Sequence, residues 1–236
     1  MDFALVHGSW AGAWCWDRLT PELEARGHRV VAMDLPCDDP TATFEMYADV
    51  VVRALEAADV GDVVVVGHSL GGLTIPLVAA RRPVSRLIYL CALVPIPGHS
   101  FAEQLEIEPD TLLPEYLAGL SERDDQGRTR WIDGGVARAV LFADCDEGDA
   151  RAAFERLRPQ AHTPFLEPCP LDAVRLTPCS YVVCTEDRIV NPVRSRTVVH
   201  ERLDAELVEL PGGHAPFLSR PGKLAAVLHE RAAVTA

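Results

Sequence analysis

The sequence predicts an α/β chain, with a mostly parallel central sheet, helices on both faces and a helical insertion. Three observations carry this prediction. Up to about residue 95, short apolar stretches alternate with stretches of helical periodicity, the pattern of successive βαβ units. Residues 62–66, DVVVV, form a continuous β-branched run, as expected of a strand covered on both faces. The alternation lapses between residues 96 and 177 and then resumes.

In order, residues 3–6 read as a first strand. Residues 16–26 place Trp16, Leu19 and Leu23 at helical spacing, and Gly27 closes that segment. A strand over 29–33 ends at Asp34-Leu35-Pro36, and a helix follows over 44–58. The strand at 62–66 leads into a helix over 70–82, then a strand over 86–93. Pro76 lies inside that helix, where it removes a backbone bond and should bend it. From 96 to 177 no strand is expected, only helix-like pieces broken by charged runs such as SERDDQGR. After it come a strand over 180–184, a helix near 193–202, a strand over 206–210 and a last helix over 221–231. A structureless loop of about 80 residues would be unusual. Residues 1–95 and 178–236 are therefore expected to form the core, and 96–177 a helical cap over the carboxyl edge of the sheet.

Composition narrows the function. The chain has 236 residues, 48% hydrophobic and 24% charged, which suits one large soluble domain. Its formal charge of −13 and lack of a basic stripe argue against a nucleic-acid partner. No apolar run approaches the roughly 18 residues of a membrane span. The start, MDFALVHGSW, has no basic region before its apolar stretch, so no signal peptide and a cytoplasmic location are expected. The seven cysteines are odd in number and lack C-x-x-C spacing, which points to reduced thiols. No H-E-x-x-H or dense His/Asp cluster suggests a metal, and no cofactor is expected.

The chemistry concentrates in Gly67-His68-Ser69-Leu70-Gly71, a G-x-S-x-G between an expected strand and an expected helix. Such a turn lifts the serine hydroxyl above the sheet, while the Leu70 amide opens the helix, where unpaired N–H groups attract negative charge. A serine needs a base to take its proton. Of eight histidines, His214 stands in a Gly-rich loop, ELPGGHAPF, after the last expected strand. Position and the order serine, acid, histidine favour it as the base. At the end of YVVCTED, Glu186 or Asp187 could orient its ring, and composition does not separate them. An oxyanion hole needs two amide donors. Leu70 is one, and Ser9, after Gly8 in the first strand-to-helix turn, is the candidate for the other. Trp10, Phe101, Leu105, Trp131, Phe142 and Phe217 are the expected substrate-pocket side chains.

Together these motifs resemble the α/β-hydrolase superfamily, and more narrowly the plant methylesterase and hydroxynitrile lyase group with small bacterial esterases like it. The resemblance rests on VHGSWAGAWCWDRLTPELEARGHRVVAMDLP, VGHSLGG, VVCTED and GGHAPFLSRP, and covers both core halves. It is weaker in the insertion, where it is limited to pieces such as VPIPGHSF and RLRPQ. The resemblance implies an α/β-hydrolase fold with Ser69, Asp187 and His214 as nucleophile, acid and base, favouring Asp187 over Glu186, and Ser9 and Leu70 as oxyanion donors. The lyases carry threonine where this chain has Gly8 and lysine where it has Ala215, so cyanohydrin cleavage is not expected. The expected function is hydrolysis of a small carboxylic ester through an acyl-enzyme. The alternatives are a non-hydrolytic lyase or cyclase of the same fold and a non-catalytic small-molecule receptor. The expected partner is a small-molecule ester, with neither nucleic acid nor membrane; a homodimer is left open.

Overall fold

The strands predicted from the apolar runs assemble into one six-stranded parallel sheet. The structure is a computed structural model and describes residues 1–174 and 177–233. Arg175 and Leu176, at the end of the expected cap, and residues 234–236 of the expected core lie outside the described residues. The elements are, in chain order, β1 (Asp2–Val6), α1 (Leu19–Glu24), β2 (Arg29–Ala32), α2 (Phe44–Ala57), β3 (Val63–His68), α3 (Gly71–Arg81) and β4 (Arg86–Leu90). The next segment holds α4 (Phe101–Ile107), β5 (Arg128–Thr129), α5 (Gly134–Val140), α6 (Glu147–Glu155) and β6 (Gln160–Ala161). The chain then returns through β7 (Cys179–Cys184), α7 (Pro192–Val198), β8 (Glu206–Leu210), α8 (Pro216–Ser219) and α9 (Pro221–Ala232).

Strand order is β2-β1-β3-β4-β7-β8. Val65 of β3 lies between Ala4 of β1 and Leu87 of β4, and Tyr181 of β7 between Tyr89 and Leu207. Every residue of β3 and β4 is buried, as a central parallel strand requires, whereas the edge strands β2 and β8 keep exposed positions. The order reverses between β1 and β3, since β2 lies on one side of β1 and β3 on the other. In an open α/β sheet, a crevice opens at the carboxyl ends of two such strands. Ser9 and Ser69 follow β1 and β3 there.

Local details depart from expectation for identifiable reasons. The first helical stretch divides into a 3-10 turn, Ala13–Trp16, and α1, and Gly27 ends it at φ +82°. β4 stops at Leu90 because Cys91 adopts φ 46°. α3 runs unbroken through buried Pro76. The expected absence of strands in 96–177 is corrected by β5 and β6, which pair antiparallel. At two residues each, they are too short to leave a periodic signature. Among the described residues, no helix is long and apolar enough to cross a membrane.

Residues 96–177 share apolar packing with the rest of the chain and also reach it through long-range hydrogen bonds. Arg158 donates its amide to Trp10 O at 2.6 Å and its guanidinium to Asp38 at 2.7 Å. The Ala161 amide reaches Cys37 O at 2.7 Å, and Trp10 Nε1 donates to Thr129 Oγ1 at 3.1 Å. α4 begins with a capping box in which Ser100 and Glu103 satisfy each other's backbone N–H groups.

Candidate active site

Ser69 sits on the turn between β3 and α3 at φ 52°, a left-handed conformation rarely adopted outside glycine. The turn can be this tight because its glycines face other backbone. A Cβ on Gly67 would stand 2.8 Å from Gly71 O, and one on Gly71 would stand 2.7 Å from Val6 O. The Ser69 carbonyl accepts from the Leu93 amide at 3.0 Å, and its own amide donates to Leu90 O at 3.2 Å, which binds the corner to the end of β4. Gly8 faces the corner from the β1 side, where a Cβ would lie 2.8 Å from Ser69 Cβ. Among the described residues, the N–H groups of Ser9 and Leu70 have no protein acceptor.

Asp187 and His214 meet at the same edge of the sheet, following β7 and β8. Asp187 is 4% exposed and His214 2%. Asp187 Oδ1 accepts the amides of Ile189 and Val190 at 2.7 and 3.1 Å. Its other oxygen, Oδ2, accepts from His214 Nδ1 at 2.7 Å. A carboxylate only accepts, so this bond places the ring proton on Nδ1 and leaves Nε2 of a neutral ring with a free lone pair. Glu186 is exposed. Of the two carboxylates that composition leaves open, the one bonded to His214 is therefore Asp187.

Two further histidines brace this edge. His68 Nε2 donates to the backbone O of His214 at 2.9 Å, and the two rings lie 4.6 Å apart. Full burial pushes the His68 pKa well below the usual imidazole range, so its ring is neutral. His7 donates from Nδ1 to Gly8 O at 2.8 Å, and its Nε2 accepts the Leu35 amide at 2.9 Å. Burial lowers its pKa to about 4. A neutral ring has one donor and one acceptor nitrogen, and His7 uses both to fix the turn that carries Ser9.

Ser69 and His214 line one cavity of about 450 Å³. Trp10, Phe142 and Phe217 line it as well, with Ser9, Trp14, Leu141, Leu157 and Ile189; no Asp, Glu, Lys or Arg is among its lining residues. Trp10, at φ 58°, is a second left-handed residue on its wall. The other three expected pocket residues lie elsewhere. Trp131 stands behind Trp10, edge to face at 5.8 Å. Phe101 meets Phe165 edge on at 5.7 Å and lines a different cavity of about 500 Å³ with Phe44, Leu73 and Leu77. Leu105, also on α4, packs half-buried against the core. The aromatic group around Phe165 draws α4 to that side of the molecule.

The model of the alpha/beta hydrolase family matches residues 3–227. The chain belongs to the α/β hydrolase family. It is 32% identical to the pyrethroid hydrolase of Sphingobium wenxiniae over 95% of this chain and 85% of that one. It is 28% identical to methylesterase 2 of Arabidopsis thaliana, over 93% of this chain and 91% of that one. The crystal structure of a pyrethroid hydrolase from Sphingobium faniae superposes with a TM-score of 0.83 and 28% identity, covering 98% of this chain and 97% of the other.

For this α/β hydrolase, sequence reasoning missed the bracing roles of His68 and His7 and the cavity positions of Trp14, Leu141, Leu157 and Ile189. His68 carried a signal, because the second position of G-x-S-x-G is fixed beside the serine. The others carried none, since they come from segments whose mutual placement only the fold supplies.

Proposed function

We propose that this chain is a serine hydrolase of small carboxylic esters. The observation that carries the reading is the buried Asp187–His214 pair opening onto the same cavity as a left-handed Ser69. In the reaction, His214 Nε2 takes the Ser69 proton as Oγ attacks the ester carbonyl. The amides of Ser9 and Leu70 donate to the tetrahedral oxyanion. His214 then protonates the leaving alcohol as the acyl-enzyme forms. Water, deprotonated by His214, attacks the acyl carbon, and the acid leaves as Ser69 regains its proton. Asp187 holds the ring in the working tautomer and stabilises its cation. Pyrethroid hydrolase and methylesterases among the relatives support ester cleavage as the reaction class. The lining, which holds no Asp, Glu, Lys or Arg, favours esters whose acyl and alcohol parts are uncharged and mostly apolar. Residues 96–177 act in this reading as the cap that supplies part of that wall.

Turnover of p-nitrophenyl acetate and butyrate by wild type and Ser69→Ala tests the reading. The expected loss in kcat is about 10⁴-fold or more, with thermal unfolding unchanged. Full activity in Ser69→Ala would reject it.

A further inference from the structure

The loop that carries His214 runs close to a side chain from residues 96–177. Gly212 adopts φ +121°, and a Cβ there would stand 2.5 Å from Asp144 Oδ2; at Gly213, a Cβ would stand 2.9 Å from Asp144 Oδ1. Asp144 forms an ion pair with Arg220, which follows α8 on the other side of the same loop. The pair is largely shielded, with side chains 16% and 22% exposed. The two residues before His214 therefore lie close to Asp144, and Gly212 lies close to Arg220 as well, so a side chain at either position would have to displace this carboxylate–guanidinium pair.

The segment that delivers Asp144 also touches the cavity and the acid loop. Leu141 and Phe142, which precede Asp144 with only Ala143 between, line the cavity beside Ser69. Arg188, next to Asp187, donates to Ala139 O at 3.1 Å. The acid and base loops join through the Glu186 amide, which donates to Gly212 O at 2.9 Å. One short stretch of the insertion thus meets the substrate wall, the acid loop and the base loop.

We propose that Asp144 is a positioning residue for His214, its pair with Arg220 clamping the base loop and coupling it to the cavity wall formed by Leu141 and Phe142. This rests on the reading of His214 as the general base. A displacement of a catalytic group by about 1 Å lowers turnover by on the order of 100-fold, so a loosened clamp should act on kcat.

Asp144→Asn and Arg220→Gln, singly and together in the full chain, test the clamp through kinetics and the proton resonance of His214 Nδ1–H, assigned by its loss in His214→Gln. Each single change is expected to lower kcat about 10- to 100-fold while KM moves less than about threefold. The double variant should be no slower than the slower single one, because both remove the same contact. The Nδ1–H resonance should broaden or shift in all three. Wild-type kcat in folded Asp144→Asn, losses that multiply in the double variant, or an unchanged resonance would overturn the proposal. Should Asp144→Asn not fold, Arg220→Gln carries the same expectations. Ser69→Ala, assayed in parallel, separates the two ideas. Its retention of activity rejects the hydrolase reading, whereas the resonance reads the clamp without turnover.

Discussion

Around Ser69 the glycines of the turn lie in close contact with backbone carbonyls, whereas residues 96–177 reach the rest of the chain through a mixture of backbone and long side-chain hydrogen bonds. At the corner, Gly67, Gly71 and Gly8 each leave no space for a methyl group, and the nearest atoms are backbone carbonyls together with Ser69 Cβ, Ile75 Cγ2 and His68 Nδ1. In the insertion, Arg158, Thr129 and Asp144 reach across to loops far away in sequence. The first arrangement fixes a hydroxyl within narrow limits, because no rotamer change can relieve a backbone clash. The side-chain ties in the second can shift by changes of side-chain conformation. If Ser69 is the nucleophile, as proposed, a rigid corner beside a more adjustable wall would keep one chemistry while the accepted substrate varies.

Substitutions can break this contrast or sharpen it. The largest effect is expected at Gly71, where alanine would press against Val6 O and His7 O at 2.7 and 2.9 Å. Gly71→Ala should lose about 3 kcal/mol or more of stability, measured by urea unfolding, and lose esterase activity as well. A near-neutral Gly71→Ala would show that the corner is not rigid.

The next effect is on pH. His7 has a folded pKa of about 4, below the ordinary 6.5 of an unfolded chain. Above pH 6.5 the ring is neutral in both states and its contribution is complete. As pH falls below that value the unfolded chain takes up a proton that the folded chain refuses, so stability drops until the folded ring protonates near pH 4. Buried His68 acts in the same direction. Unfolding free energies from urea titrations at about pH 7.5 and about pH 5 should differ by roughly 2 kcal/mol from His7 alone, and His7→Gln should show less acid sensitivity. An unchanged pH dependence in His7→Gln would remove His7 from the account of the corner.

The smallest effect belongs to the insertion. Thr129→Val removes the acceptor of Trp10 Nε1 and should lower stability by about 1 kcal/mol. A loss as large as that of Gly71→Ala would erase the difference between the two regions.

The same difference explains what could be read from the sequence. The parallel core was legible because buried strands must be apolar throughout, and VVVV at 63–66 states this directly. The serine corner was legible because glycines at fixed offsets report a turn with no room for side chains. Asp187 was separated from Glu186 only by resemblance or by coordinates, since both are carboxylates at the end of one strand. The pocket was half legible. Trp10, Phe142 and Phe217 line the cavity, but Phe101 and Leu105 follow α4 to another side of the molecule, where Phe165 anchors it. Nothing local in SFAEQLEI says which way that helix turns. The approach of Asp144 to Gly212 was likewise invisible, because it joins residues far apart in the second half of the chain.

The most direct test of the central claim is mass-spectrometric mapping of the folded protein after treatment with a fluorophosphonate. The account predicts one adduct, on Ser69, formed much more slowly in His214→Gln and absent in Ser69→Ala. Folded wild-type protein that carries no adduct on Ser69 would contradict it.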